Sequence, residues 1–364
     1  MKIKVFYILL LFIISACSGE EKISTINRGI LPQPTPSPYN LNLDLGSKIS
    51  IHEFGHDNRL EWWYHNGHLE DQNGEKWGFH FVIFKSENSD KDNYVAQMSI
   101  SDIKTGEVFQ LARADKGLNN LYTDNLGTLF ISDWKYTIGP KPGQFEINIF
   151  TDDIDLNLYF DSLQQPMLHN KIGWFETSLG YSYYYTWPRQ KTTGTIKIRD
   201  KILSVSGESW FDHQWGDFFV PGKPAGWQWF GVMLDNGDNI MISQSRNTKG
   251  NVELLYGTYQ NKNGLVNHLN DGIEIEVLDD WYSSKTQTTY PSGWKINIKK
   301  MDLNFIIMPD ILDQEIYEGL PPTQTYWEGK SKVFDNRNNY IGDAFVELSG
   351  YRDPVQIEWT KNNE

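Results

Sequence analysis

From Ile49 onward the chain is written in short segments in which apolar and polar residues alternate. Trp77-Gly78-Phe79-His80-Phe81-Val82-Ile83-Phe84 and Phe145-Glu146-Ile147-Asn148-Ile149-Phe150 are two of them. Thr195-Ile196-Lys197-Ile198 and Ile273-Glu274-Ile275-Glu276-Val277 continue the habit. A period of two puts every second side chain on one face of a strand, and β-branched and aromatic residues suit that pleated surface. Asn73-Gly74, Asn236-Gly237 and Asn263-Gly264 stand between such segments as turn signals. No window of a dozen residues shows the spacing of an amphipathic helix. The pattern predicts an all-β protein.

An internal repeat sets the expected architecture. Trp63-x3-Gly67-x-Leu69-x-Asp71 recurs as Trp227-x3-Gly231-x-Met233-x-Asp235, each followed by Asn-Gly, at an offset of 164. Gly194-x3-Ile198 and Gly207-Glu208 recur as Gly329-x3-Val333 and Gly342-Asp343 at an offset of 135, which sets Asp212 against Glu347. Two repeats in the same order predict a duplicated domain. The smaller second offset places about thirty extra residues in the first copy, within 85–190. Two β-barrels or sandwiches facing each other would close their own edges.

The first residues read as a targeting segment rather than as fold. Lys2 and Lys4 precede an apolar run, Val5 to Ile14, that is too short to span a bilayer. Ile14-Ser15-Ala16-Cys17 resembles a bacterial lipoprotein box, which implies removal of residues 1–16 and acylation of Cys17. An ordinary secretory signal with an incidental Cys is the alternative. Several acyl chains, at ~0.8 kcal/mol per buried CH2, anchor durably. Ser18 stands where Asp would retain a lipoprotein at the inner membrane, so the expected address is the outer membrane of a Gram-negative host. Residues 17–44 then form a tether. Pro32, Pro34, Pro36 and Pro38 sit at every second position and favour a stiff extended spacer.

Charge and composition narrow the partners. The chain of 364 residues carries 33 Lys+Arg against 47 Asp+Glu, a formal net charge of −14. Nucleic acid and anionic lipid want clustered cations, so neither is expected as the main partner. A single Cys excludes an intramolecular disulfide, and no apolar stretch reaches the ~20 residues of a membrane-spanning helix. A multipass transporter is excluded.

His52-Glu53-Phe54-Gly55-His56 matches the H-E-x-x-H signature of zinc proteases, whose chemistry needs both His on one helical face. Lys48-Ile49-Ser50-Ile51 before it alternates like a strand, and no later Gly-x-x-His supplies a third ligand. No metal is therefore expected. Five of the eight His lie between residues 52 and 80, and loop and turn positions near the surface account for that clustering. Nucleophile elbow, phosphate loop and dinucleotide fingerprint are all missing, so no cofactor is expected. Glu61 ahead of Trp62-Trp63-Tyr64, and Asp212-His213 between Trp210-Phe211 and Trp215, set ionisable groups among large rings. Desolvation there raises a carboxyl pKa and suits general acid work, while hydrogen bonding at strand ends is the structural alternative.

His56-x4-Glu61-Trp62-Trp63-Tyr64-x2-Gly67-x-Leu69 resembles the opening signature of the AttH-like/carotenoid 1,2-hydratase family. Ser206-Gly207-Glu208-Ser209-Trp210-Phe211-Asp212-His213-Gln214-Trp215 and Gly226-Trp227-Gln228-Trp229-Phe230 are similar to its central block. Trp281-Tyr282-Ser283, Tyr290-Pro291, Tyr326-Trp327-Glu328-Gly329 and Val346-Glu347-Leu348-Ser349-Gly350-Tyr351 follow in family order. The resemblance implies two tandem lipocalin-like β-barrel domains, here 45–215 and 216–360. It also implies hydration of terminal C=C bonds in acyclic carotenoids, or terpenoid or polyketide cyclisation. The family's catalytic His and Trp map to His213 and Trp215. Its Tyr-x-Asp falls on Asn239-Ile240-Met241-Ile242-Ser243-Gln244, which has neither residue.

Together these readings give a membrane-anchored protein with a pocket for a hydrophobic small molecule between the barrels. Trp63, Tyr64, Trp215, Trp227 and Trp229 are expected to wall it. Asp212 would orient His213, and Glu61 or His213 would move the proton. A carrier of lipid or another hydrophobic molecule, without chemistry, is the alternative.

Overall fold

The structure, a computed structural model, describes residues 49–352 apart from 89–90, 117–126, 178–179, 219–222 and 318–324. The expected signal segment, Cys17 and the tether lie outside those residues. Helix is confined to two short 3-10 turns among the described residues, Ile49–His52 and Lys299–Met301. The chain is otherwise strand and turn.

The first sheet begins with β1 (Leu60–Asp71), β2 (Lys76–Asn88), β3 (Lys91–Asp102) and β4 (Val108–Lys116). It continues through β5 (Thr128–Ile131), β6 (Trp134–Ile138), β7 (Gln144–Phe150) and β8 (Ile154–Ser162). The short β9 (Met167–Leu168) and β10 (Trp174–Thr177) and the long β11 (Gly180–Ile198) and β12 (Lys201–Phe218) complete it. Its order is β4-β3-β2-β1-β12-β11-β8-β7-β6-β5, with β9 and β10 paired to β11. β5 comes back beside β3 and β4, so the sheet curls into a barrel.

The second sheet opens with β13 (Gly226–Leu234), β14 (Asn239–Arg246), β15 (Val252–Gln260) and β16 (Val266–Leu269). Next come β17 (Ile273–Ser283), β18 (Thr288–Ile298) and β19 (Leu303–Pro309). β20 (Glu315–Ile316), β21 (Tyr326–Phe334) and β22 (Tyr340–Ser349) close it, in the order β16-β15-β14-β13-β22-β21-β19-β18-β17 with β20 on β21. The two orders correspond strand for strand, except that β20 alone stands where β9 and β10 flank β11, and β5 has no counterpart. That extra strand lies inside the interval 85–190. β12 runs on to Phe218, past residue 215, so the junction between the sheets falls between Phe218 and Gly226. The fold is two lipocalin-like barrels in tandem.

Pairing corrects the register of the repeat. Tyr64 lies opposite Asp212 and Trp229 opposite Glu347, so β1 and β13 correspond at an offset of 165 when β12 and β22 correspond at 135. The sequence match at 164 sets Trp63 on Trp227, whose side chains point to opposite faces. A one-residue slip flips every side chain in a strand, and the shared Trp and Gly concealed it. On the partner strands, Thr186 lies opposite Asp212 and Glu328 opposite Glu347, so Gly194 and Gly329 are not equivalent either.

Three cores follow from these faces. Trp63, Leu69, Phe211 and Trp215 point into the first barrel. Phe230, Val232 and Leu234 point into the second. Tyr64, Trp210, Trp229, Met233, Met241 and Phe345 form a third core between them. Strands β1, β12, β13 and β22 are thus covered on both sides, which is why they read as near-continuous aromatic and apolar runs. Edge-ward strands such as β7 have one wet face and keep the clean alternation. At the hairpin between β13 and β14, Gly237 takes φ 90° and donates to the Leu234 carbonyl at 2.9 Å, a turn that a Cβ would strain.

Candidate functional site

A cavity of about 410 Å³ opens between the barrels. From the first sheet, Trp62, Tyr64, Phe84, Tyr184 and Asp212 face it. From the second come Trp227, Trp229, Ser243, Tyr256, Tyr326 and Glu347. Rings make up a large part of the walls, and charged Lys85, Arg246 and Glu253 line it as well.

Asp212 is held by three donors. The Tyr184 hydroxyl donates to its Oδ2 at 2.5 Å, the Trp210 indole N–H to Oδ1 at 2.8 Å, and the Thr186 hydroxyl also to Oδ1. Trp229 donates to the Tyr184 hydroxyl at 3.0 Å, and buried His169 bridges Thr186 and Thr258 at 2.8 Å each. Burial pushes the Asp212 carboxyl up to about 7 against the pull of its donors. Glu347, beside the Trp227 indole, is likewise pushed up to about 7 by burial. Glu328, paired with Glu347 across the strands, is raised well above the carboxylate range by burial and then by Glu347. It lies against the Tyr64 hydroxyl without closing a well-formed hydrogen bond. The arrangement can hold a proton on a carboxyl at neutral pH and pass it through a phenol into an apolar space.

The expected residues divide by face. Tyr64, Trp227, Trp229 and Asp212 reach the cavity. Glu61, Trp63, His213 and Trp215 do not: they point into the first barrel, where Glu61, Trp63, His213 and Trp215 are fully buried. Neighbours in a strand face opposite ways, so Asp212 cannot orient His213. Glu61 does that instead, accepting from His213 Nε2 at 2.9 Å, while the Tyr185 hydroxyl lies 3.3 Å from Nδ1. Burial lowers His213 to about 4 even beside Glu61, so it is neutral at pH 7 and not the charged donor that an Asp neighbour suggested. Trp63 and Trp215 stack on His213 and His56 rather than walling a pocket.

The His52–His56 motif is also corrected. Only a 3-10 turn precedes it, and Glu53 is turned inward to the Gly143 N–H at 2.6 Å and the Trp187 indole at 3.1 Å, away from any water it could activate. The protease reading fails on that geometry. The histidines are not surface groups: His52, His65, His68 and His80 are all buried. A third donor does exist, brought by folding rather than by sequence spacing. His56 Nδ1 lies 2.7 Å from Glu61 Oε1, the same oxygen that meets His213.

Sequence reasoning missed Tyr184 and His169, which sit in runs with no motif, and named Tyr326 and Glu328 only within a family run, with no role for either. Glu347 was within reach, since the repeat had already set it against Asp212.

These buried groups give a pH dependence. Imidazoles lowered in the fold, such as His80 at about 3 and His213 at about 4, lose stability as pH falls from about 6.5. Raised carboxyls act the other way: the fold holds the proton longer than the unfolded chain, so stability falls as pH rises from about 4.5 through the folded value. The two oppose each other between those limits. Above about 7.5 the unfolded imidazoles have lost their protons and only the carboxyls still titrate, so melting temperature is expected to fall from about pH 7.5 to 8.5. Glu328→Gln should shrink that fall, removing up to about 1.4 kcal/mol per pH unit. An unchanged slope in melting curves of the variant would refute the assignment.

Comparison with known proteins follows the same outline. A protein of Nitrosomonas europaea solved as an AttH candidate shares 24% identity, covering 83% of this chain and 96% of that one, with a TM-score of 0.75. Kievitone hydratase of Nectria haematococca shares 18% over 80% of this chain and 89% of that one, with a TM-score of 0.62. CghA shares 9% over 81% and 89%, with a TM-score of 0.53. At these identities the likeness carries the fold alone. No curated protein matches the chain. The AttH-like family model, however, matches residues 51–351, a span that takes in both barrels and the cavity between them. The chain belongs to the AttH-like family.

Proposed function

We propose that the cavity receives a largely apolar, isoprenoid- or polyketide-like molecule, and that the Tyr184–Asp212 pair moves a proton on it. The observation that carries this reading is the 2.5 Å hydrogen bond between them in the cavity wall, with Trp229 fixing the phenol. The family resemblance implies a Tyr and an Asp two residues apart on β14. That strand offers Met241 and Ser243 instead, while β11 and β12 bring a Tyr and an Asp together in space. Asp212 protonated near neutral pH would recharge Tyr184 as it protonates an alkene or enol. Trp62, Tyr64, Trp227 and Trp229 would hold the developing cation by their faces. Glu347 would receive a proton from the opposite wall. Hydration, cyclisation and isomerisation all fit this scheme, and kievitone hydratase is a hydratase by name on the same fold.

One observation favours a carrier without chemistry: both Asp212 oxygens are already occupied by donors. Mass spectrometry of lipid extracts from wild type and Asp212→Asn separates the two. The enzyme reading expects the variant to retain a substrate that differs from the wild-type ligand by one water or by isomerisation. The same bound species in both preparations would leave only the carrier.

Membrane attachment through Cys17 is proposed on the lipobox resemblance. Cys17→Ser is then expected to move the protein from the membrane to the soluble fraction. Persistent membrane fractionation, with no acyl mass on the N-terminal peptide of the wild type, would contradict it.

A further inference from the structure

On the far face of β1 and β12, away from the cavity, a second constellation is left without a role in proton transfer. We propose that His56, Glu61 and His213 bind a divalent transition-metal ion in the first barrel, where β1 begins. Their donor atoms lie within 4.8 Å of one another. Both imidazole nitrogens converge on one oxygen, His56 Nδ1 at 2.7 Å and His213 Nε2 at 2.9 Å from Glu61 Oε1. An ion about 2.0–2.2 Å from each of three donors sets them roughly 3.3–3.8 Å apart, so both imidazole nitrogens would draw back from Glu61 Oε1 to admit it.

The remaining atoms are already placed to support ligation. His56 Nε2 faces His52 Nδ1 at 3.2 Å, and His213 Nδ1 faces the Tyr185 hydroxyl at 3.3 Å. Each ring could therefore shift its proton to the outer nitrogen and keep a partner, as metal-bound histidines do. The second Glu61 oxygen accepts from the His56 backbone N–H at 2.9 Å, which fixes the carboxylate plane. Trp215 stacks on His56 with centroids 3.9 Å apart, and Trp63 on His213 at 4.9 Å. His56 is 16% exposed while Glu61 and His213 are fully buried, so an ion would enter past His56. Two imidazoles and one carboxylate suit zinc, cobalt or nickel better than calcium or magnesium. The Lys85 ammonium, donating to the His56 carbonyl, opposes the ion's charge and would moderate its affinity. The ion would tie the strandless segment 49–56 to β1 and β12.

The test is a Co2+ titration of the full chain in detergent, purified without a histidine tag. One equivalent is expected, with visible d–d absorption and a raised melting temperature. His213→Gln and His56→Gln should each weaken binding by more than the roughly 10–100-fold seen when an outer partner is lost. Absorption that persists in both variants would put the ion elsewhere and overturn the assignment. Should either variant fold poorly, wild-type crystals soaked in Co2+ decide. An anomalous peak between the three side chains supports the site, and a peak elsewhere or none overturns it.

Discussion

His213→Ala is expected to lower the stability of the chain by about 3–5 kcal/mol, the cost of a buried hydrogen bond left unmade together with the cavity left by the imidazole. Glu61 Oε1 would keep His56 but lose the second nitrogen that converges on it. Tyr185 would lose its ring partner, and the stack with Trp63 would become a hole. The corresponding fall in melting temperature is roughly 6 °C or more for a chain of this size. Binding in the cavity between the barrels should be unchanged, because His213 does not face it. Thermal melting and ligand retention measured on one preparation check both halves. A stable variant that has lost its ligand would return His213 to the catalytic machinery.

Asp212→Asn should instead act on chemistry. If Asp212 recharges Tyr184, its loss removes the proton source and turnover is expected to fall by about 10²–10⁴. Asn keeps the shape and one acceptor for Tyr184, so melting temperature should move far less than in His213→Ala. Tyr184→Phe should reproduce the kinetic loss, since the phenol is the group that meets the ligand. Rates that survive in both variants would assign the proton to the opposite wall, at Glu347.

The all-β class, the duplication and the extra strand in the first copy were legible because strand period and hairpin turns are local properties of the chain. Faces were not. Glu61, Trp63 and His213 lie beside Trp62, Tyr64 and Asp212 in sequence but on the other side of the same sheet. Strands buried on both sides carry no polar alternation to say which residue faces which core. The same blindness hid the one-residue slip in the repeat. Asp212 could be read from its ring neighbours, whereas Tyr184 and Glu328 acquire meaning only through β11 and β21, which set them against Asp212 and Glu347. The converging His56, Glu61 and His213 depend on a contact across more than 150 residues, which no spacing rule reports.

Native mass spectrometry of the full chain with its co-purified ligand tests the central claim, comparing wild type, Ser243→Trp and His213→Gln. Ser243 faces the cavity from β14, so an indole there fills the space without entering either barrel core. Wild type and His213→Gln are expected to carry the ligand, and Ser243→Trp to have lost it. Ligand kept in Ser243→Trp but missing from His213→Gln would place the working site inside the first barrel and contradict the account.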